Sequence, residues 1–312
     1  MGRCLVLGGN GFIAQPVIKN LIAHGNVVRT IDRTVPDGSK RINGVEHCIG
    51  DIYDTNLLNS AFEGVDIVYD FVSTTMPNSN SISAENEINS TLRYYDYILS
   101  SMYTAGVKNY VFPSSGGAVY GDINEKEATE STDLRPVTTY GLGKYLSEKI
   151  IEYYCRRLGM NSCILRIGNV YGSLSYRSKA QGVIDIFVQK ALENKEICVW
   201  GNAENSIRDY IHLDDVSDAI VTVTEKPFFG IHIYNIASGK GTSLKSIIDI
   251  IQEKLDKPIQ ICYKNNQFSG INRSVLSIEK IKKDFGWQPK ISIEQGIEKT
   301  IKSKQEIFNG SF

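Results

Sequence analysis

The 312-residue chain carries almost no net charge, with 34 lysines and arginines against 35 aspartates and glutamates. Such a balance gives no ground for a nucleic acid or an anionic membrane as partner, so any bound anion must be met by a few placed cations. No apolar run approaches the length of a membrane span, and the opening "RCLVLGG" turns to glycine too early for a secretion signal. A soluble, cytoplasmic protein is expected. Cysteine is sparse: Cys4, Cys48, Cys155, Cys163, Cys198 and Cys262 include no C-x-x-C pair, which argues against a zinc site or a disulfide framework and for reduced, packed thiols. None of the four histidines has a second ligand at suitable spacing; His212, in "DYIHLDD", reads as a packed, hydrogen-bonded side chain, and no metal is expected.

What is present is an alternation of short apolar runs with longer helical patterns: "CLVLG", Phe12 to His24, "NVVRTID", "VEHCIGD", "DIVYDFV", a polar helix near Ala84 to Ala105, "NYVFPSS", a helix at Tyr140, and "NSCILRIGN". Strand, helix, strand at this spacing implies parallel strands joined by crossovers, an α/β doubly wound (Rossmann) sheet. The length favours two lobes. We expect residues 1–168, with 213–240 returning to them, to form the dinucleotide-binding domain, and 169–212 with 241–312 a smaller α/β C-terminal lobe for the substrate. Within the latter, "SLSYRSKAQG" reads as a loop, "VIDIFVQKALENK" as a helix, and "KIKKDFGWQPK" as a short helix closed by Gly286 and Pro289.

"LVLGGNGFIAQPVI" follows the first predicted strand and opens the first predicted helix. From Gly9 it is G-x-G-x-x-A, and from Gly8 it is G-x-x-G-x-x-A, with Gly11 shared by both. Small residues there let the backbone approach a pyrophosphate, and the amides around Phe12 and Ile13 supply donors at the positive end of a helix dipole. Pro16 is an awkward residue so near a helix start, because it lacks a donor. Asp32 ends the second strand about twenty residues on, where a carboxylate can take the ribose hydroxyls of an adenosine and repel a 2′-phosphate. That points to NAD as cofactor. A solvated strand-end aspartate is the plainer alternative, and Arg33 beside it keeps NADP open.

"TTYGLGKYLSEK" sets Tyr140 and Lys144 one helical turn apart, on one face. Alone the spacing is common and says little. A phenol with a pKa of about 10 is a poor base, but a nearby ammonium and a cationic nicotinamide ring both favour its anion.

The glycine loop, "GDIYD", "SSGGAVYG", "YGLGK", "LRIGNVYG" and "SIRDYIHLDDV" stand in one order along the chain, followed by "YNIASG" and "FGWQPKIS". This set resembles the extended branch of the short-chain dehydrogenase/reductase family, the NAD-dependent epimerase/dehydratases acting on nucleotide sugars, most closely the UDP-glucose 4-epimerase-like members. The resemblance implies that Tyr140 is the acid/base and that Lys144 holds the nicotinamide ribose. It further implies that Asp51 and Ile52 border the adenine, that Phe71, Val72 and Ser73 run along the ribose and pyrophosphate, and that Asn89 braces this region. Asp51 is also a plausible helix cap. Asn169 maps to the substrate. Arg208 and Arg273 map to its diphosphate, although Arg208 could instead pair only with Asp209 or Asp214. In relatives the helices matching 85–105 and 140–158 form a dimer interface, which implies a homodimer.

In the family that the chain resembles, a Ser or Thr hydroxyl holds the sugar oxygen beside the tyrosine, which implies such a group beside Tyr140. Counted back from Tyr120 it falls on Gly116, which has none; counted along the strand "NYVF" it falls on Ser115. Strand register favours Ser115, with Ser114 turned the opposite way. Of the reactions on this scaffold, 4,6-dehydration needs an Asp-Glu pair where this chain has Gly117 and Ala118. A nucleotide-sugar 4-epimerase therefore leads, ahead of an NAD(P)H-dependent 4-keto-6-deoxysugar reductase. A non-catalytic NAD-sensing relative is the reading from another class, and the presence of both Tyr140 and Lys144 speaks against it.

Overall fold

The computed structural model describes residues 2–35, 41–73, 83–123, 127–172, 182–264 and 271–308. By its contacts the chain divides into two compact units. The first comprises Met1–Val119, Pro136–Arg166 and Ser217–Tyr234; the second comprises Tyr120–Arg135, Ile167–Val216 and Asn235–Phe312.

The first unit is built on a seven-stranded sheet. Its order across the sheet is Ile231–Ile236, Asn161–Ile167, Asn109–Ser115, Ile67–Asp70, Arg3–Leu7, Val27–Asp32 and Val45–Ile49. Arg3–Leu7 pairs in parallel with both neighbours, as do the outer pair Val27–Asp32 with Val45–Ile49 and the pair Ile67–Asp70 with Asn109–Ser115. The chain starts in the middle and winds outward to both sides, the doubly wound α/β order the alternation implied. Parallel strands are covered on both faces, which explains why "CLVL" and "NYVFP" are apolar throughout rather than alternating. Cys4 to Leu7 and Tyr110 to Ser114 are all buried.

The helix Ala14–Ala23 has no side-chain cap and no acid in its first turn. Pro16 occupies its third position, where the amide has no partner inside the helix anyway, so the proline costs no hydrogen bond.

In the second unit, Ile207–His212 lies between Gly241–Ser243 and Arg273–Ser274 and also pairs with Asn169–Tyr171, while Ile197–Trp200 pairs with Ile261–Lys264. Helices Val183–Leu192, Leu244–Leu255 and Ile293–Phe308 close its core around Phe187, Ile197, Ile247, Ile251 and Ile297. Glu279–Phe285 ends at Gly286 with φ 69°. The expected loop "SLSYRSKAQG" lies, but for Gly182, outside the described residues. Tyr120–Arg135 differs from the expected boundary at 168. It joins the second unit because Ile123 and Ala128 donate amides to Arg273 and Val275, and Glu130 accepts from the Asn235 amide.

Asp70, at the end of its strand, is fully enclosed. Its carboxylate accepts from Tyr110 at 2.5 Å, from Tyr94 at 2.9 Å and from the Val72 amide at 2.9 Å. Burial nevertheless pushes its pKa up to about 6 from 3.8, against those hydrogen bonds. A raised carboxyl pKa in the folded state means that the folded protein holds its proton longer, so this group's contribution to stability falls as pH rises from about 4 to about 6 and is level above. We expect the unfolding free energy of Asp70→Asn, measured in urea, to rise more or fall less with pH over that window than the parent's. Equal slopes would show that Asp70 is ionised throughout.

Candidate active site

The helix Thr139–Leu158 is capped by Thr138, whose Oγ1 accepts from the Gly141 amide at 3.0 Å, and ends at Gly159 with φ 65°. Tyr140, Lys144 and Glu148 follow one another at four-residue steps, down one face. Glu148 is fully buried; it accepts from Arg166 Nη2 at 2.8 Å and Nε at 3.2 Å, and from Ser114 Oγ at 2.5 Å. Glu148 and Arg166 were missed in the sequence. Two signals pointed to them: the four-residue series continues past Lys144, and an arginine inside the apolar run "CILRI" needs a buried partner.

Strand alternation separates the two serines that end Asn109–Ser115. Ser114 turns inward to Glu148, and the half-buried Ser115 stands near enough to the Tyr140 phenol for its hydroxyl to lower the phenol's pKa. Gly116 opens the short helix Gly116–Val119 and offers no side chain. Burial raises the Tyr140 pKa, Ser115 opposes that, and the Glu87 carboxylate adds to it.

Lys144 Nζ donates to the Pro113 carbonyl at 2.9 Å and stands 4.6 Å from the centre of the Phe112 ring. The register of Asn109–Ser115 with Ile67–Asp70 runs to Val111, so a proline two residues later interrupts no bond of that ladder. Burial lowers the Lys144 pKa to about 8, while Asp70, Glu148 and Glu87 oppose the fall.

Tyr140 and Lys144 line one cavity together with Ser73, Glu87, Tyr95 and Ser147. Asn89 is not among these groups. It is exposed, about 200° around the helix Ala84–Thr104 from the fully buried Glu87, which takes the inner face instead.

The glycine loop fits a dinucleotide. Gly8 has φ 74°, and a Cβ there would lie 3.3 Å from the Phe71 carbonyl carbon and the Val72 amide; at Gly9 it would lie 2.8 Å from Thr30 Cγ2, and at Gly11 3.0 Å from Gly8 O. Only glycine leaves the cradle open at the uncapped helix end, beside half-buried Phe12 and Ile13. Asp32 accepts from the Asn10 amide at 2.9 Å and the Arg33 amide at 2.8 Å. Asp51 is exposed and accepts from the Tyr53 amide at 2.9 Å, a turn contact; the helix Thr55–Phe62 is capped by Asp54 instead. Ile52 and Val72 pack against the first core, and Phe71 is half-buried.

In the second unit, Asn169 Nδ2 donates to Asp209 O at 3.3 Å. Arg208 bonds the carbonyls of Ile207 at 2.9 Å, Asn272 at 2.8 Å and Ile271. It pairs with neither aspartate suspected from sequence: Asp209 accepts from Ser238, Gly239 and Leu276, and Asp214 binds Lys299 at 2.6 Å. Arg273 is in register with Ile207, and Arg208 with Ser274, so alternation sends the two arginines to opposite faces.

His212 is buried edge-on to Tyr171, accepts from the Asp214 amide at 3.2 Å, and has its pKa lowered to about 4 by burial. It is a neutral, packed histidine. Cys198 and Cys262 are register partners and, with Glu196, bring three ligand atoms within 4.8 Å. Sequence spacing hid this cluster. Burial and Glu196 push the Cys262 thiol up, which opposes the thiolate a metal requires.

Residues 4–237 match the model of the NAD dependent epimerase/dehydratase family. A protein of Methanocaldococcus jannaschii with the provisional name UDP-glucose 4-epimerase is 31% identical over 307 residues, covering 95% of this chain and 96% of that one. The dTDP-4-dehydro-6-deoxyglucose reductase of Escherichia coli is 27% identical over 309 residues, covering 96% of each. Among solved structures, the Thermotoga maritima UDP-glucose 4-epimerase with UDP-glucose has a TM-score of 0.87 at 27% identity, covering 98% of this chain and 99% of that one. No helix among the described residues is long and apolar enough to cross a membrane. The chain belongs to the NAD dependent epimerase/dehydratase family and is an NAD-dependent enzyme of the extended short-chain dehydrogenase/reductase type.

Proposed function

We propose that the chain is a cytoplasmic nucleotide-sugar 4-epimerase, acting on a UDP-hexose or UDP-N-acetylhexosamine by transient oxidation at C4. The observation that carries this reading is that Tyr140 and Lys144 line one cavity, with Ser115 beside the phenol and lowering its pKa. Gly8, Gly11, Phe12, Ile13 and Asp32 would hold NAD, which would supply the hydride acceptor and donor. Tyr140 Oη takes the proton of the C4 hydroxyl as that carbon is oxidised and returns it on reduction. Without substrate the one Ser115 hydroxyl proton favours the phenol's anion; with the sugar bound it is donated to the sugar oxygen instead. Lys144, protonated below about 8, adds positive potential. Arg208 answers the diphosphate, and Asn169 the sugar; Arg273, on the opposite strand face, is the weaker phosphate candidate.

Gly117 and Ala118 cannot carry the protons that 4,6-dehydration moves. The second reading, a 4-keto-6-deoxysugar reductase, is favoured by the similarity to the Escherichia coli reductase. An epimerase regenerates its cofactor and a reductase consumes it. We expect the purified protein, given a panel of UDP- and TDP-sugars, to form a C4 epimer with no net change in NADH. Stoichiometric NAD(P)H consumption with a 4-keto sugar would replace the first reading by the second.

The two serines should separate cleanly. Ser115→Ala is expected to lower kcat roughly 10²-fold with stability unchanged, as for loss of one positioned donor. Ser114→Ala should instead cost about 1–3 kcal/mol of stability, because it removes a buried donor to Glu148, with kcat altered only a few-fold. The reverse pattern in kinetics and urea unfolding would reassign the hydroxyl.

Ile88, Leu92, Tyr103 and Tyr153 are 40–59% exposed on the two packed helices Ala84–Thr104 and Thr139–Leu158. This apolar face supports a homodimer. Light scattering should give twice the mass of one chain for the parent and a single-chain mass for Leu92→Glu with Tyr153→Glu; a monomeric parent refutes it.

A further inference from the structure

The helix Ala84–Thr104 begins with two acids that meet different fates. Glu85 is exposed in the first turn, where a carboxylate suits the helix dipole without being buried. Capping belongs to Ser83, whose Oγ accepts from the Asn86 amide at 3.2 Å. Glu87 therefore has no capping duty to explain its place. It is fully buried, accepts from Thr91 Oγ1 at 3.3 Å, and lines the cavity with Tyr140 and Lys144.

Space for it is made on the other helix. A glycine inside a helix costs about 1 kcal/mol relative to alanine, yet Thr139–Leu158 carries two, Gly141 and Gly143. Gly141 faces the Ala118 carbonyl, where a Cβ would stand 2.8 Å away. At Gly143 the three nearest atoms to such a Cβ all belong to Glu87: Oε1, which it would overlap, Cδ at 2.8 Å and Cγ at 3.2 Å. Gly143 is the one residue between Leu142 and Lys144, so the carboxylate passes directly over the backbone that carries the lysine.

We propose that Glu87 is a positioning residue of the catalytic cavity, a buried carboxylate admitted by Gly143 that biases the ionisation of both Tyr140 and Lys144. The groups facing Lys144 are Asp70, Glu148 and Glu87, with the Pro113 carbonyl; those facing Tyr140 are Ser115, Glu87 and the Tyr95 phenol. Glu148 is paired with Arg166, and Asp70 takes three hydrogen bonds. Among the described residues, Glu87 is the carboxylate that acts on both working residues, whatever further partners it has. Its charge raises the pKa of each, so it keeps the lysine an ammonium and delays the phenol's loss of its proton until positive charge enters the cavity.

Part of the test rests on the proposed 4-epimerase reading and part does not. In the cofactor-free protein, competitive acetylation of Lys144 read by mass spectrometry across pH gives its ionisation directly. The parent should titrate near 8, Glu87→Gln lower by on the order of one unit, and Glu87→Asp, which keeps the charge, close to the parent. Equal midpoints for parent and Glu87→Gln would overturn the proposal whatever the enzyme turns over. If the midpoint moves and no sugar is converted, the functional reading fails and the role of Glu87 stands. If sugar is converted, both limbs of the kcat/KM profile should move to lower pH in Glu87→Gln, and unmoved limbs refute the role in turnover. The steric half is separate: Gly143→Ala should lower Tm in the parent and by much less in Glu87→Ala, and equal losses would mean that Gly143 is not there for Glu87.

Discussion

The site depends on a buried ion pair. Glu148 and Arg166 have 0% and 4% of their side chains exposed and meet at 2.8 Å. Such a pair is no sure source of stability, since desolvating two charges offsets most of their attraction, but removing either partner leaves a bare buried charge and costs about 3–5 kcal/mol. Its effect is geometric. The arginine belongs to a strand of the sheet and the glutamate to the helix that follows Thr138, so the pair ties that helix's rotation to the sheet. Tyr140 and Lys144 lie about two turns and one turn before Glu148, and a rotation large enough to swing them away would pull the carboxylate off the guanidinium.

The same burial sets the electrostatics. Three carboxylates surround Lys144, and each would hold its proton more tightly, yet its pKa falls to about 8. Desolvation therefore outweighs three favourable charges, and the lysine titrates closer to neutrality than a surface lysine does. His212 obeys the same rule in the second unit: Asp214 raises its pKa, burial lowers it further, and the ring is neutral. Histidine there is a packing group despite being the residue most associated with proton transfer.

Much of this was legible in the chain, for identifiable reasons. The doubly wound sheet followed from apolar runs and their spacing, and Gly8 and Gly11 from their place between strand and helix. The separation of Ser115 from Ser114 followed from strand alternation, which survives any uncertainty in the turn beyond. What failed to show was whatever depends on contact between distant segments. Glu87 and Asn89 are nearly adjacent in sequence and differ only in helix phase, so a motif placed two residues off selects the exposed one. The guanidinium of Arg208 is taken up by carbonyls of the segment just before a strand, more than sixty residues away, which no local reading of "SIRDYIH" contains. Cys198 and Cys262 meet only through the register of two short strands.

Asp32 has a structural duty beside the one its place at the strand end suggests. A carboxylate at the end of this strand is expected to face ribose hydroxyls, and its half-buried position suits that role. It also accepts the amide of Asn10, while Asn10 Nδ2 reaches the Thr34 carbonyl at 2.8 Å. The glycine loop is thereby tied to the end of the second strand through one side chain. Replacing Asp32 by a small neutral residue, the obvious step toward accepting a 2′-phosphate, removes both the repulsion and the anchor of the Asn10 amide. The loop whose backbone must approach the pyrophosphate loosens as the ribose pocket changes, and a loss of NAD affinity in such a variant measures two effects together. An asparagine at this position separates them, since its carbonyl oxygen can still receive the Asn10 amide while the charge is gone.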